Sequence, residues 1–361
     1  LSNGFQLTGT DTDYNGSGRT YIYMAFAADP DTEAPTVAKS FSTVTYTGNG
    51  STQSIDGFGF TPSMIWTKGR TVAYDHGLYD SVRGGGSLIY PSLSQAASTV
   101  TNGIQSFDAD GVTFGANNKS NASDSTYVAW AWKADDNEPT INTEGSIDSL
   151  VSANANSGFS IIKATTPSTT TNSWTIGHGL SAAPEMVISK QTGNASGWYV
   201  WHKDLTSAAY TVALNTSDAE DGTRNGIFNS TAPTSTLLTF GGTGGLSYWD
   251  SSTDYINYCF HSVSGYSKIG SYSGTGSSNT QSVNTGFQPD WVMIKDYSAG
   301  GSWWIEDSVR GSTKSLKANT SNSESTTNYV TEFTSTGFNV TGGLNDNAVN
   351  SQFIYMAFKI N

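Results

Sequence analysis

The residues of this chain able to do chemistry are few, and most carry a reason not to. Cys259 is the single cysteine, so no intrachain disulfide can form. It occupies a column that elsewhere holds Ala25, Ala131 and Ala357. It therefore reads as a small buried residue rather than a nucleophile. The four histidines are His76, His178, His202 and His261. None lies in a His-Glu-x-x-His pattern and no cysteine cluster accompanies them, so a zinc site is not expected. His178 sits in a Gly-His-Gly turn. Asp108-Ala109-Asp110-Gly111 looks like the start of a calcium loop, but no bidentate Glu follows at the required spacing, and a hairpin turn is the better reading. Asp80 and Asp307 could suggest sugar hydrolysis, yet each has an arginine three positions on, Arg83 or Arg310. Structural ion pairs fit better than the two facing carboxylates a glycosidase needs. Neither a Gly-x-Ser-x-Gly elbow nor a Walker-type loop is present.

One aromatic pair departs from the surrounding plan. Tyr248 and Trp249 fall in a loop that is polar at corresponding places, Asn117-Asn118-Lys119-Ser120 and Asn345-Asp346-Asn347. Exposed aromatic faces stack on the apolar faces of sugars, so the pair is the candidate glycan platform. The competing reading is a contact between modules.

The elements that must position these residues announce themselves by repetition. Tyr127-Val128-Ala129-Trp130-Ala131-Trp132 recurs as Tyr21–Phe26, as Tyr255–Phe260 and as Phe353–Phe358. The first position is Tyr or Phe, the second Val or Ile, and the sixth Trp or Phe. Aromatic and β-branched enrichment after polar, Gly- or Ser-containing sequence predicts a strand. Large residues at even positions share one face, and small ones with Tyr share the other. Four copies of a strand imply copies of a module. Leu1–Leu7 matches Thr334–Val340 and Asp108–Phe114: a turn, a glycine, then a strand.

These repeats divide the chain. Residues 1–28 correspond to the last third of a module, from which a larger parent protein is expected. Residues 29–40 read as a Pro-containing acidic linker, 41–134 as module 1, and 135–158 as a second linker. Module 2 spans 159–265 and holds the longest insertion, around Asp218 to Ser235; module 3 spans 266–361. Modules of about a hundred residues suit β-sandwiches and exceed propeller blades. The expected fold class is all-β, with tandem, jelly-roll-like β-sandwich modules.

Composition narrows the function. Charged residues make up only 13% and aromatics 12% of the chain, which speaks against a disordered polymer. The net charge of -13 argues against binding a nucleic-acid backbone or an anionic membrane. No apolar run is long enough to cross a bilayer, and no basic-then-apolar N-terminal signal is visible. A virion protein would reconcile an extracellular-looking composition with the lack of disulfides, because it folds in the cytoplasm and leaves by lysis.

Four stretches carry a resemblance: Ser2–Phe5 with Tyr21–Phe26; Val151–Asn154 leading to Gly158–Ile161; Gly177-His178-Gly179-Leu180 followed by Pro184; and Tyr258–Tyr272. They resemble a module of unknown function repeated in tail-fibre-like and other structural proteins of tailed phages, of the marine and cyanophage type. The resemblance implies a location on a virion surface, in the tail, and no catalytic residues, cofactor or metal. The implied partners are copies of itself (a homo-oligomer such as a trimer), other virion proteins and a host surface glycan or receptor. A non-enzymatic tail-fibre or appendage protein for host attachment is expected. The alternatives are a capsid decoration, head fibre or self-assembling filament without receptor binding, and a polysaccharide depolymerase.

Overall fold

The computed structural model describes residues 9, 12–13, 16–20, 38–242, 248–276, 280–311, 313–326, 330–341 and 347–360. The chain divides into two units, Leu1–Thr36 and Val37–Asn361. In the first, the described residues include a turn in which Arg19 N donates to Gly16 O, 3.3 Å away. The expected partial module at 1–28 otherwise lies outside the described residues.

The second unit is all-β, in antiparallel sheets; among the described residues the helical structure is one 3-10 turn at Gly222–Arg224. Each of its three modules builds a large sheet from the same four strands. The opening strands are Phe41–Thr47, Phe159–Thr165 and Ser267–Ser273, and the closing strands Thr126–Trp132, Asp254–Phe260 and Gln352–Phe358. The inner strands are Met64–Gly69, Met186–Gln191 and Trp291–Asp296, and the edge strands Gly77–Asp80, Trp198–His202 and Trp304–Asp307. The order is opening, closing, inner, edge in every module. The repeated aromatic stretch is thus a central strand, paired on both sides, which is where β-branched and aromatic residues fit best.

A smaller sheet covers one face of each large sheet. Modules 1 and 3 use three strands: Gln53–Asp56, Gly111–Phe114 and Ile104–Asp108, and Thr280–Asn284, Gly337–Thr341 and Val330–Thr334. The glycine of the turn-Gly-strand repeat has a steric cause here. A Cβ on Gly111 or Gly337 would collide with the carbonyl of Ile55 or Val283 on the paired strand. Among the described residues, module 2 has two strands in this layer, Trp174–Gly177 and Leu237–Phe240.

Alternation along the closing strand separates two cores. In module 1, Ala129 and Ala131 pack in the module's own core, and Tyr127 on the same face stacks on Tyr46 at its edge. Val128, Trp130 and Trp132 face the other way, into a core that all three modules share. The sixth-position aromatics meet there as a triangle. Ring centroids lie 6.4 Å apart for Trp132 and Phe260, 5.8 Å for Trp132 and Phe358, and 6.0 Å for Phe260 and Phe358. The modules are therefore not beads on a string; they close around an approximate threefold axis.

One boundary needs correction. Residues 135–158 are not a linker. Ser149–Asn154 pairs with the opening strand of module 2, Leu150 opposite Lys163, and Thr140–Asn142 pairs outside it. With Val212–Ala213 paired outside the edge strand on the other side, the sheet reaches seven strands. Val151 is buried in the core of module 2 with Ala153 packed against it, which anchors a strand whose other half is polar.

Candidate functional site

Trp249 offers no face to a ligand. It is 1% exposed, packs against Tyr255 and Phe240 with centroids 5.2 and 5.6 Å away, and donates from Nε1 to Ile227 O at 3.1 Å. Tyr248 is half-buried and its hydroxyl donates to Thr223 O at 2.7 Å. The expected exposed platform is thus not formed, and neither is a contact between modules. The reason lies in the two-stranded layer of module 2. Ile227 and Phe228 from the long insertion, together with Trp249, fill the same core that covers its large sheet. The departure from the repeat was legible; its inward direction was not.

Other candidates close structure as well. Cys259 is fully buried, and burial pushes its thiol up, which disfavours the thiolate. Asp110 accepts from Gly59 N and Gly57 N in the loop after Gln53–Asp56, and Asp108 accepts from Thr113 Oγ1 in its own hairpin, so the acidic turn is taken up by structural hydrogen bonds. His178 accepts at Nδ1 from Leu180 N, and its Nε2 lies 3.1 Å from Thr234 O. Among the described residues, no three His, Cys, Asp or Glu side chains are grouped to hold a metal ion.

The buried polar groups instead line the seams between modules, and the registers make them equivalent. Trp198 Nε1 donates to Tyr90 O at 2.9 Å, from module 2 to module 1. Trp303 Nε1 donates to Ala213 O at 2.8 Å, from module 3 to module 2. His76 Nε2 lies 2.9 Å from Lys317 O, from module 1 to module 3. His76 Nδ1 accepts from Trp66 Nε1 at 2.8 Å, so the proton resides on Nε2, and burial with the nearby Lys68 charge keeps the ring neutral.

A second ring joins closing strands to edge strands. Tyr258 donates from its hydroxyl to Asp80 Oδ2 at 2.6 Å, and Trp130 from Nε1 to Asp307 Oδ2 at 3.0 Å. Each aspartate also holds its arginine, Arg83 at 2.7 Å and Arg310 at 2.5 Å, as the ion-pair reading expected. On the third seam both partners change together. Met356 takes the place of Tyr258 and Trp130, and His202 takes that of the aspartates. Burial, then the neighbouring Lys203, lowers His202 to about 3, so no charge is buried where the donor is missing.

Three lysines repeat this logic. Lys68, Lys190 and Lys295 hold one position of the inner strand, each opposite the second residue of the closing repeat. All are buried, and burial lowers each to about 8. Lys190 has Gln191 O as its hydrogen-bond acceptor, 2.5 Å away.

The open space left along the seams forms the candidate site. Between modules 1 and 2 lies a cleft of about 210 Å³ lined by Arg83, Ser87, Ala97, Lys163, Thr192 and Asp254. It offers two cations, hydroxyls and no bulky apolar wall, which suits a small polar ligand. A second cleft of about 240 Å³ on module 3 is lined by Trp304, Ser315, Lys317 and Asn322. There Lys317 Nζ sits 4.4 Å from the centre of the Trp304 ring, so the aromatic face is already taken by a cation. Reading the motifs alone missed the first cleft, because its residues come from strands far apart in sequence. The signal was present: continuing the match of Leu78–Arg83 with Ile305–Arg310 brings Ala97 opposite Glu324.

The chain belongs to the family described as a domain of unknown function (DUF7483), whose model matches residues 36–361. No curated protein matches it.

Proposed function

We propose that this chain is a structural protein of a tailed-phage virion, part of a tail fibre or comparable appendage that presents its β modules for attachment to a host surface. The observation that carries this reading is where the reactive residues go. Asp80, Arg83, Asp307, Arg310 and His76 are all bonded across or along module seams. Chemistry spent on rigidity supports a scaffold that carries surface loops. The sequence resemblance to virion modules supports the same reading.

Antibodies raised against the chain test it on intact virions. Label at the tail is the expected result. Label on the capsid would move the protein to a head fibre or decoration, and unlabelled virions would sink the reading. Incubation with host exopolysaccharide checks the enzymatic alternative, since steady release of reducing ends would replace attachment by depolymerisation.

A further inference from the structure

The three seams contain one niche in three versions, and one version is open. Their equivalence is set by a backbone bond that recurs around the axis. Glu324 N donates to Arg70 O at 2.8 Å, Ala97 N to Thr192 O at 2.8 Å, and Glu220 N to Tyr297 O at 2.7 Å. On the seam between modules 3 and 1, the Glu324 carboxylate fills the niche. It takes Arg70 Nε at 2.9 Å, Arg310 Nη1 at 3.4 Å, and has Lys314 Nζ 4.0 Å away. On the seam between modules 2 and 3, Leu205 stands where the arginine would be, and Glu220 turns to Thr206. On the seam between modules 1 and 2 Arg83 keeps the place of Arg310, Thr192 and Ser87 stand in those of Arg70 and Lys314, and the glutamate has become Ala97. What remains there is the cleft of about 210 Å³.

The geometry points to this cleft as a binding site for a small carboxylate, the acid group of a ligand the size of one hexuronate residue. The chain itself shows what the niche holds when filled, because Glu324 places a carboxylate at the equivalent point. Arg83 Nη1 donates to Ser87 O and Ser87 Oγ, both at 2.9 Å. The Ser87 hydroxyl proton is therefore left to donate into the cleft. Lys163, 36% exposed at its side chain, supplies the second cation from module 2. Two carboxylates flank the site: Asp80, held by Arg83 and Tyr258, and Asp254, held by Lys163 at 3.0 Å and by Thr165. An entering carboxylate shares the Lys163 ammonium with Asp254 and meets the Arg83 charge through Ser87. Thr192, which lines the cleft, donates its hydroxyl proton to Asp254 O at 3.0 Å, so its oxygen is left to accept from a sugar hydroxyl. Because both cations are already part-neutralised, binding by a single chain is weak, in the millimolar range. The assignment stands on the seam geometry and does not depend on the virion reading.

Titration of the full chain with glucuronate, with glucose as the neutral control, followed by amide NMR, tests it. Glucuronate shifts resonances of Ser87, Ala97 and Thr192 and glucose does not. Ala97→Glu fills the niche from within and weakens glucuronate binding by roughly tenfold or more, the loss of one charge-assisted contact. Lys163→Gln, a surface change that leaves the seam bonds in place, weakens it about threefold or more. Glu324→Ala opens the second niche, and added acetate then raises its melting temperature relative to chloride at equal ionic strength. No response of the parent chain to glucuronate, equal response to glucose, or undiminished binding in both Ala97→Glu and Lys163→Gln overturns the proposal.

Discussion

Trp130 donates from its indole to the Asp307 carboxylate at 3.0 Å, across 177 positions of sequence and from one module to another. The same carboxylate holds the fully buried Arg310 of its own module. One aspartate thus closes a turn and a seam together. A designer reading the motif Asp-Ser-Val-Arg would see only the turn.

That double duty sets the cost of removing it. Asp307→Ala leaves the buried Arg310 guanidinium with only the Glu324 carboxylate, 3.4 Å away, and takes the acceptor from Trp130 Nε1, and should destabilise the chain by about 3–5 kcal/mol. Trp130→Phe removes the donor and shrinks a fully buried ring while leaving the ion pair, and should lose about 1–3 kcal/mol. Urea unfolding of both variants checks the ranking; equal losses would mean that the ion pair contributes nothing beyond the seam bond.

Lys190 is a buried cation with no carboxylate partner among the described residues. Lys190→Met should stabilise the chain at neutral pH by on the order of 1–4 kcal/mol, because a methionine fills similar space without desolvating a charge. The pH dependence follows from the lowered value of about 8 in the folded state against the usual 10.5. Between these values the unfolded chain binds more protons, so stability rises with pH across that window. The same holds for Lys68 and Lys295. Above about pH 10 the unfolded tyrosines ionise while buried ones such as Tyr255 and Tyr258 resist, and stability falls again. Thermal melts from pH 7 to 11 should therefore pass through a maximum, and the rising limb should be shallower in Lys190→Met.

Trp249→Ala should cost about 3–5 kcal/mol as a cavity in the core of module 2. Tyr248→Phe removes one part-exposed hydroxyl bond and should cost about 1 kcal/mol or less. Calorimetry of the two variants separates these. A Trp249→Ala protein with an unchanged melting temperature would contradict its burial.

Cys259→Ala should be nearly neutral, within about 1 kcal/mol, since Ala131 and Ala357 occupy the equivalent points of the same sheet position. Melting should be retained, as should the host-cell binding that the proposed function implies. Loss of binding with an intact fold would give the thiol a role that its burial denies.

What the sequence determined by itself was local and periodic. The closing strand was legible because its alternation, repeated with aromatic and β-branched residues, satisfies only a strand buried on both faces. The Ala and Cys column followed from repetition, and so did the arginine ion pairs, since both partners lie three residues apart. The strand Ser149–Asn154 was hidden because its apolar residues do not alternate cleanly with its polar ones; pairing with Phe159–Thr165 and the burial of Val151 hold it in the sheet. Tertiary structure alone decided the rest. Trp132, Phe260 and Phe358 carry no label saying that they meet each other rather than a ligand. Trp249 turns inward because module 2 has a two-stranded cover to complete. Arg83 and Arg310 share one motif, yet one faces Glu324 and the other an open cleft. That difference depends on which side chain a neighbouring module delivers across the seam, a long-range contact that no local pattern encodes.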